Sequence, residues 1–300
     1  MVSKDTRDLL HACLTSLWPD AQAGRAEVWV VDNASEDGSA EMVRSEFPWV
    51  RLVASPENVG YGRAVNLVAE RTAGRWIAAS NSDIEVTPGA IEALLATGAA
   101  DQRAGALAPR LALPDGTSQH SVHPFPTLRF TAAFNLGVHL LSPRVADRLC
   151  LEGHWDPTRA RYVPWAIAAF LLVRREAFEA VDGFDEEQWM YAEDLDLGWR
   201  LDRAGWKTRY EPRATVRHVG AASTTKAFGE ERTARWMGAT YSWMVRRRGL
   251  GVAWAAAAVN LLGAAARAAL GRPMPRDEAM AWVRIHSQGL RSRRALLRRR

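Results

Sequence analysis

The 300-residue chain predicts an α/β fold, a mostly parallel sheet with helices on both faces, followed by a helical, basic C-terminal tail. Three observations carry this. Over the first 110 residues, short β-branched runs alternate with segments of helical periodicity, the pattern of parallel strands joined by crossover helices. Apolar residues are 48% of the chain, enough for a sizeable core. Charge is uneven: from Arg246 to Arg300 there are 13 Arg against Asp277 and Glu278, a net +11, so the overall +5 leaves −6 on the first 245 residues.

The elements follow in order. "EVWVVDNAS" reads as a strand, and "SEDGSAEMVRSEF" as a helix with Ser35 at its N-cap. "VRLVAS" is the next strand. "GYGRAVNLVAERTAG" is helical, with Ala64, Leu67, Val68 and Arg71 at helical spacing and Gly74 as the stop. "RWIAASNSD" is a strand. "TPGAIEALLATG" opens a helix with Thr87 as N-cap and Pro88 at the first helical position, and "GALAP" closes the series. Residues 111–160 are irregular and rich in Pro and His, which predicts loops and an edge element. "WAIAAFLLVRREAFEAVDGFD" gives a strand and a short helix ending near Gly183. "AEDLDLGWRLDRAG" is a helix closed by Gly205, and "KTRYEP" and "TVRHVG" read as two strands. The expected organisation is residues 1–110, 111–225 and a tail from 226 to 300.

Several classes are excluded. Cys13 and Cys150 fit neither a disulfide framework nor a zinc site, and a reducing cytoplasm is the simplest compartment. The opening residues hold no apolar run of the signal-peptide kind. Because the basic excess belongs to the tail and not the body, nucleic acid is not an expected partner. The tail segment "GLGVAWAAAAVNLLGAAARAALG" is interrupted by Asn260 and Arg267. With arginines on both sides it suits a helix lying on an anionic membrane surface better than a spanning one, the alternative being a helix packed on the protein itself. His120, His123, His139 and His154 fit no ligand spacing.

Ligands of open parallel sheets bind beyond the carboxyl ends of the strands. Asp32 ends "VWVVD" and Asp83 follows "WIAASNS", so both are expected on one rim. Between them "ENVGYGRAVN" is not a dinucleotide fingerprint, but Gly60 and Gly62 would let backbone approach a phosphate at a helix N-terminus; a turn plus close helix packing explains them equally. "WMYAEDLDLGWR" sets Glu193, Asp194 and Asp196 at a helix start, where the dipole favours carboxylates. Asp196 points to another face and is available to a neighbouring Arg. Spacing leaves open whether Glu193 or Asp194 is the chemically active acid.

The blocks "VVDNASEDGSAEMV", "ENVGYGRAVN", "SNSDIEV", "FLLVRREAFEAVDGFDE", "YAEDLDLGWRL" and "RHVG" occur in this order across roughly residues 3–220. Together they resemble the family 2 glycosyltransferases of GT-A fold, a Rossmann-like α/β architecture, and look most like the bacterial rhamnosyltransferase-like set. The resemblance implies a nucleotide-sugar-binding half in residues 1–110 and an acceptor and catalytic half in 111–225. It implies that Asp32 reads the donor nucleobase and that Asn58, Gly60, Gly62 and Arg63 line the nucleotide and diphosphate. Asn81 and Asp83 match a metal-binding Asp-x-Asp motif, with Asp83 the surer ligand, and His218 matches a His facing the metal or diphosphate. Asp194 matches the catalytic base, with Glu193 beside it orienting acceptor hydroxyls.

The implied reaction is an inverting, Mg²⁺- or Mn²⁺-dependent transfer of a hexose, rhamnose among them, from a dTDP- or UDP-sugar. The implied acceptor is a glycan or lipid-linked intermediate at the cytoplasmic face of the membrane, in cell-wall or polysaccharide synthesis. Such a reaction needs a cation for the departing diphosphate and a carboxylate to take the acceptor proton.

Three features depart from the family pattern. The opening strand is expected to be mostly missing, since Ser3, Lys4 and Asp5 align with the turn that follows it, and a start upstream is the expectation. Asn81 stands for the first Asp of the metal motif, and Ala168 stands where Gly is frequent. The first two motivate an alternative, a catalytically inactive nucleotide-sugar-binding protein. A nucleotidyltransferase is disfavoured, because no Gly-rich, Lys- or Arg-bearing loop follows the first strand.

Overall fold

The computed structural model describes residues 1–188, 190–219, 231–271, 275–291 and 293–297. In chain order the first elements are β1 (Val2–Ser3), α1 (Arg7–Gln22), β2 (Trp29–Asn33), α2 (Ser39–Glu46), β3 (Arg51–Ser55), α3 (Tyr61–Ala69) and β4 (Trp76–Ser80). There follow β5 (Ile84–Val86), α4 (Ala90–Ala100), β6 (Ala104–Ala112), β7 (Val122–His123), α5 (Leu128–Asn135) and α6 (Pro143–Arg148). Then come β8 (Arg161–Val163), β9 (Trp165–Ala166), β10 (Phe170–Arg174), α7 (Arg175–Glu179), α8 (Glu193–Arg203) and β11 (Lys207–His218). The tail holds α9 (Arg232–Arg248), α10 (Leu250–Leu270), α11 (Arg276–Ser287) and α12 (Arg293–Leu297).

The described residues form two compact units. The first holds Met1–His123, Asp156–Glu187 and the described part of 193–229; the second holds Pro124–Trp155, the described part of 188–192 and the described residues from 231 onward. Residues 124–155 of the irregular middle segment thus cluster with the tail helices, while its two ends stay with the sheet.

In the first unit β1, β2 and β3 pair in parallel. A second sheet runs β4-β10-β6-β11-β5, with β8 on β11. A parallel bridge between Val2 and Asn81 joins the two. The second sheet is mixed: β6 and β11 are parallel, while β10 is antiparallel to both β4 and β6. The continuous apolar run of "FLLVR" marks a strand buried on both faces but carries no direction, so this reversal is invisible to pattern reading. Leu10, Leu14, Leu94, Leu107 and Val216, all fully buried, fill the core around the sheet. Each such side chain contributes roughly 1.5–3 kcal/mol by leaving water.

Local expectations shift in four places. The opening strand is present but short, two residues set between β2 and the end of β4. Helix α2 starts at Ser39 behind left-handed Gly38, not at Ser35; the Ser35 hydroxyl instead accepts from the Asp5 N–H, and Asp37 accepts from the Ser39 N–H and hydroxyl. Helix α4 likewise starts behind Gly89, because the Thr87 hydroxyl donates to the Thr215 carbonyl. The two C-terminal strands are one strand, β11, whose register shifts between Glu211 and Thr215. Pro212, with no N–H to give a ladder, falls in that bulge.

Candidate active site

Register places the acids. Val2 is the parallel partner of both Val31 and Asn81, and Ser3 is the partner of Asp32. Asp32 and the turn carrying Asn81–Asp83 therefore lie on one rim, at the carboxyl ends of β2 and β4. A buried hydroxyl chain runs along it: Ser3 Oγ meets Thr6 Oγ1 at 3.0 Å, which meets Ser82 Oγ at 2.7 Å. Asp32 is buried; its Oδ2 accepts from the Ser35 N–H at 3.1 Å, while Oδ1 has no hydrogen-bond partner among the described residues. A buried, unspent acceptor is costly unless something donates to it.

His218 and Asp83 are brought together by strand pairing. Antiparallel β5 and β11 put His218 opposite Ile84, and the Val219 N–H donates to the Asp83 carbonyl at 3.0 Å. His218 Nε2 then lies 3.3 Å from Asp83 Oδ1, with both side chains buried. On the other side His218 Nδ1 meets Gln119 Oε1 at 2.6 Å. The amide oxygen only accepts, so Nδ1 carries a proton, and in the neutral ring Nε2 then turns its lone pair toward Asp83. This is the tautomer a metal-binding His requires, held by an outer partner. Adjacent ligand atoms around an octahedral Mg²⁺ or Mn²⁺ lie ~3 Å apart, so the pair fits a hard divalent cation completed by other oxygens. Among the described residues no cluster of three or more His, Cys, Asp or Glu side chains could hold an ion without such help. His120 and His123 meet edge-on in the first unit, and His139 and His154 meet edge-on in the second.

Helix α8 begins at Glu193, so Glu193, Asp194 and Asp196 share its first turn. Tyr191, shortly before, has φ 72°, uncommon for a bulky residue. Asp194 Oδ1 accepts from the Leu195 N–H at 2.8 Å, and Oδ2 from the Ala168 N–H at 3.2 Å. Burial outweighs these bonds and pushes the Asp194 carboxyl up to about 6. A carboxylate so poised can take a proton near neutrality. Asp196 is fully buried and paired with Arg200 at 2.6 Å, as its separate face predicted. Gly198 lets α8 approach β9, for a Cβ there would meet that of Trp165 at 2.5 Å.

Sequence reading missed Tyr61, at the start of α3. Its hydroxyl donates to the Ala168 carbonyl at 2.6 Å. Burial raises its pKa well above the usual tyrosine value, and the charges of Glu193, Asp194 and Asp83 raise it further. Ala168, which stands where Gly is frequent, thus offers its N–H to Asp194 and its carbonyl to Tyr61. Tyr61 sits inside "VGYGRA", between the two glycines that drew attention. Gln119 lies in a stretch with no pattern, and nothing in the sequence marked it.

The remaining candidates sit at the start of α3, apart from Asn81, which follows β4. Asn58 Oδ1 accepts from the Gly60 N–H at 3.0 Å. Gly60 takes φ 84°, which a side chain would resist. Gly62 is accounted for by packing: a Cβ would meet that of Phe184 at 2.9 Å. Arg63 is exposed, 3.8 Å from Glu186. The Asn81 N–H donates to the Ala169 carbonyl. Gly220 of the final block and the last three arginines lie outside the described residues, as does Trp189.

A sheet with acids gathered beyond its strand ends and a His–Asp pair beside them fits an α/β enzyme that takes its ligand on that rim, and similarity to known proteins gives the class. The sequence profile of glycosyl transferase family 2 matches residues 1–145, and that of glycosyl transferase family group 2 matches residues 145–288. The N-acetylglucosaminyl-diphospho-decaprenol L-rhamnosyltransferase of Mycobacterium tuberculosis (strain CDC 1551 / Oshkosh) is 34% identical over 248 residues, 73% of this chain and 79% of that protein. Rhamnosyltransferase WbbL of Escherichia coli (strain K12) is 31% identical over 131 residues, 43% of this chain and 46% of that one. The solved mannosyltransferase PcManGT from Pyrobaculum calidifontis, in complex with GDP-Man and Mn²⁺, superposes with a TM-score of 0.59 at 18% identity. The match covers 96% of this chain and 83% of that one, a likeness of fold. The chain belongs to glycosyl transferase family 2 and is a glycosyltransferase of GT-A-type fold.

Proposed function

We propose that the protein is an inverting glycosyltransferase that moves a hexose, rhamnose first among them, from a dTDP- or UDP-sugar to a glycan or lipid-linked acceptor. The observation that carries this is Asp194, pushed up to about 6 by burial and fixed by two backbone N–H groups. It takes the proton of the attacking acceptor hydroxyl while the sugar–phosphate bond opens on the opposite side, so the anomeric centre inverts. General-base help of this kind is worth ~10²–10⁴-fold. Glu193 orients the acceptor, and Tyr61 fixes the Ala168 peptide that holds Asp194.

On the donor side, Asp32 Oδ1 accepts from the nucleobase, and Asn58, Gly60 and Arg63 face the nucleotide and diphosphate, with Gly62 and Asn81 shaping the backbone there. Asp83 and His218 Nε2 would hold Mg²⁺ or Mn²⁺ together with diphosphate oxygens. The ion, when bound, neutralises charge on the departing diphosphate. The names of the rhamnosyltransferase relatives favour a rhamnosyl donor and a polyprenyl-linked acceptor. A lipid-linked acceptor and the net +11 from Arg246 to Arg300 favour a cytoplasmic protein held peripherally at the inner membrane face, with the basic tail in contact.

A thermal-shift screen of nucleotide sugars with and without Mn²⁺ or Mg²⁺, followed by turnover of the best donor, tests the reading. A metal-dependent rise in Tm, lost in Asp83→Asn, is expected. Donor binding with no transfer or hydrolysis under any acceptor condition would favour the inactive binding protein instead.

A further inference from the structure

The second unit carries an exposed apolar ridge outside the tail sequence. Leu136, Leu140 and Leu141 are 80%, 67% and 84% exposed within six residues. Isolated exposed leucines are ordinary, but three on one turn are not. The turn's backbone is held by its own hydrogen bonds: the Leu136 N–H donates to Ala132, Gly137 to Phe134, and Leu140 to Gly137. His139 stacks on Phe134 with centroids 4.8 Å apart and planes 11° from parallel. Below the turn, Asn135 donates to Asn260 Oδ1 at 2.8 Å, and Gly263 leaves room for it, since a Cβ there would meet the Asn135 Oδ1 atom at 1.9 Å. Helix α5 is thereby seated on α10, with the leucines on an anchored base.

The charge around the ridge is mainly positive. Residues 124–148 contain Arg129, Arg144 and Arg148 against the single acid Asp147, a net +2. The second unit as a whole has 18 Arg against 6 acids, a net +12. A like-charged second copy is disfavoured there, whereas an anionic lipid surface is attracted. Helix α10 has the length and composition of a span, but its polar interruptions are engaged within the unit. Asn260 donates to Tyr241 Oη, which meets His286 Nδ1 at 2.9 Å, and Arg267 donates to Asn135 Oδ1.

We propose that the Leu136–Leu141 ridge is the element that inserts into an anionic bilayer surface, with Arg129 and Arg144 at the headgroup level. This rests on the membrane-face part of the proposed function and replaces the tail as the inserting element. Shallow burial of apolar side chains flanked by Arg is the physics of interfacial attachment.

The test is co-sedimentation of the full chain with vesicles of phosphatidylcholine alone or with about a third phosphatidylglycerol. The wild type and a Leu136→Ser/Leu140→Ser/Leu141→Ser variant are compared, with far-UV circular dichroism and the full calorimetric melting profile as the check on folding. Binding to the anionic vesicles, weakened at least about tenfold in the variant with an unchanged melting profile, is expected. Equal binding by the variant overturns the ridge and leaves membrane contact to another surface. Wild-type protein that binds neither vesicle overturns both, while transfer to a water-soluble acceptor judges the enzymatic reading independently. A change from dimer to monomer in the variant, seen by sedimentation velocity, would make the ridge a self-interface and also overturn the proposal.

Discussion

Asp194 is held by two backbone N–H groups and pushed up by burial, and its proposed role as the base makes that testable. With its ionisation at about 6, kcat/KM is expected to rise with pH through about 6 and level off above, since the base works only when ionised. Asp194→Asn should lower kcat by ~10²–10⁴-fold and flatten that limb while leaving donor-induced thermal shift intact. The same residue has a stability signature. Its folded-state value lies above the 3.8 of the free side chain, so the folded state holds the extra proton between pH 3.8 and about 6. Its contribution is full below that window and is lost as pH rises through about 6. Urea unfolding of Asp194→Asn across this range should lack that slope; an unchanged slope would assign the titration to another group. Tyr61→Phe leaves the Ala168 carbonyl without its donor and should cost about 1 kcal/mol, with a larger fall in kcat than in donor affinity.

At the scale of elements, close approaches fix where those side chains point. Helix α8 carries Asp194 and rests against β9 through Gly198. Gly198→Ala overpacks this contact, so a loss of ~1–3 kcal/mol and a lower kcat at unchanged donor binding are expected, read by urea melts and steady-state kinetics. Arg174, at the end of β10, is buried and donates to the carbonyls of Ala104, Gly98 and Asp101 while its guanidinium lies 4.5 Å over Trp76. It closes the C-terminal end of α4 onto the start of β6. Arg174→Met strands those carbonyls, and a loss of about 2–4 kcal/mol is expected in equilibrium unfolding. The antiparallel pairing of β5 with β11 does for the donor side what α8 does for Asp194: it delivers His218 to Asp83 from a place 135 residues later in the chain.

The whole molecule divides into an acidic and a basic unit. With +12 in the second unit, the overall +5 leaves −7 in the first. Separate cores seldom melt as one, so scanning calorimetry should give a van't Hoff enthalpy below the calorimetric one. Nucleotide sugar with Mn²⁺ should raise only the component assigned to the first unit. A single two-state transition that shifts as a whole would show the units to be thermodynamically one.

The sequence by itself determined the alternation of strands and helices, the acids at the ends of β2 and β4, the helix start at Glu193, and the placing of the basic charge. These are local: each follows from periodicity, a turn residue or a run of like charges within a dozen positions. Tertiary structure decided the rest. It reversed β10, merged two expected strands into bulged β11, moved two helix starts behind left-handed glycines, and gathered residues 124–155 with the tail. It also brought Tyr61, Gln119 and Ala168 to the site, through bonds between residues 26 to 107 positions apart. Strand direction, register and the partner of a lone polar side chain depend on contacts between distant segments, and no short stretch of sequence records them.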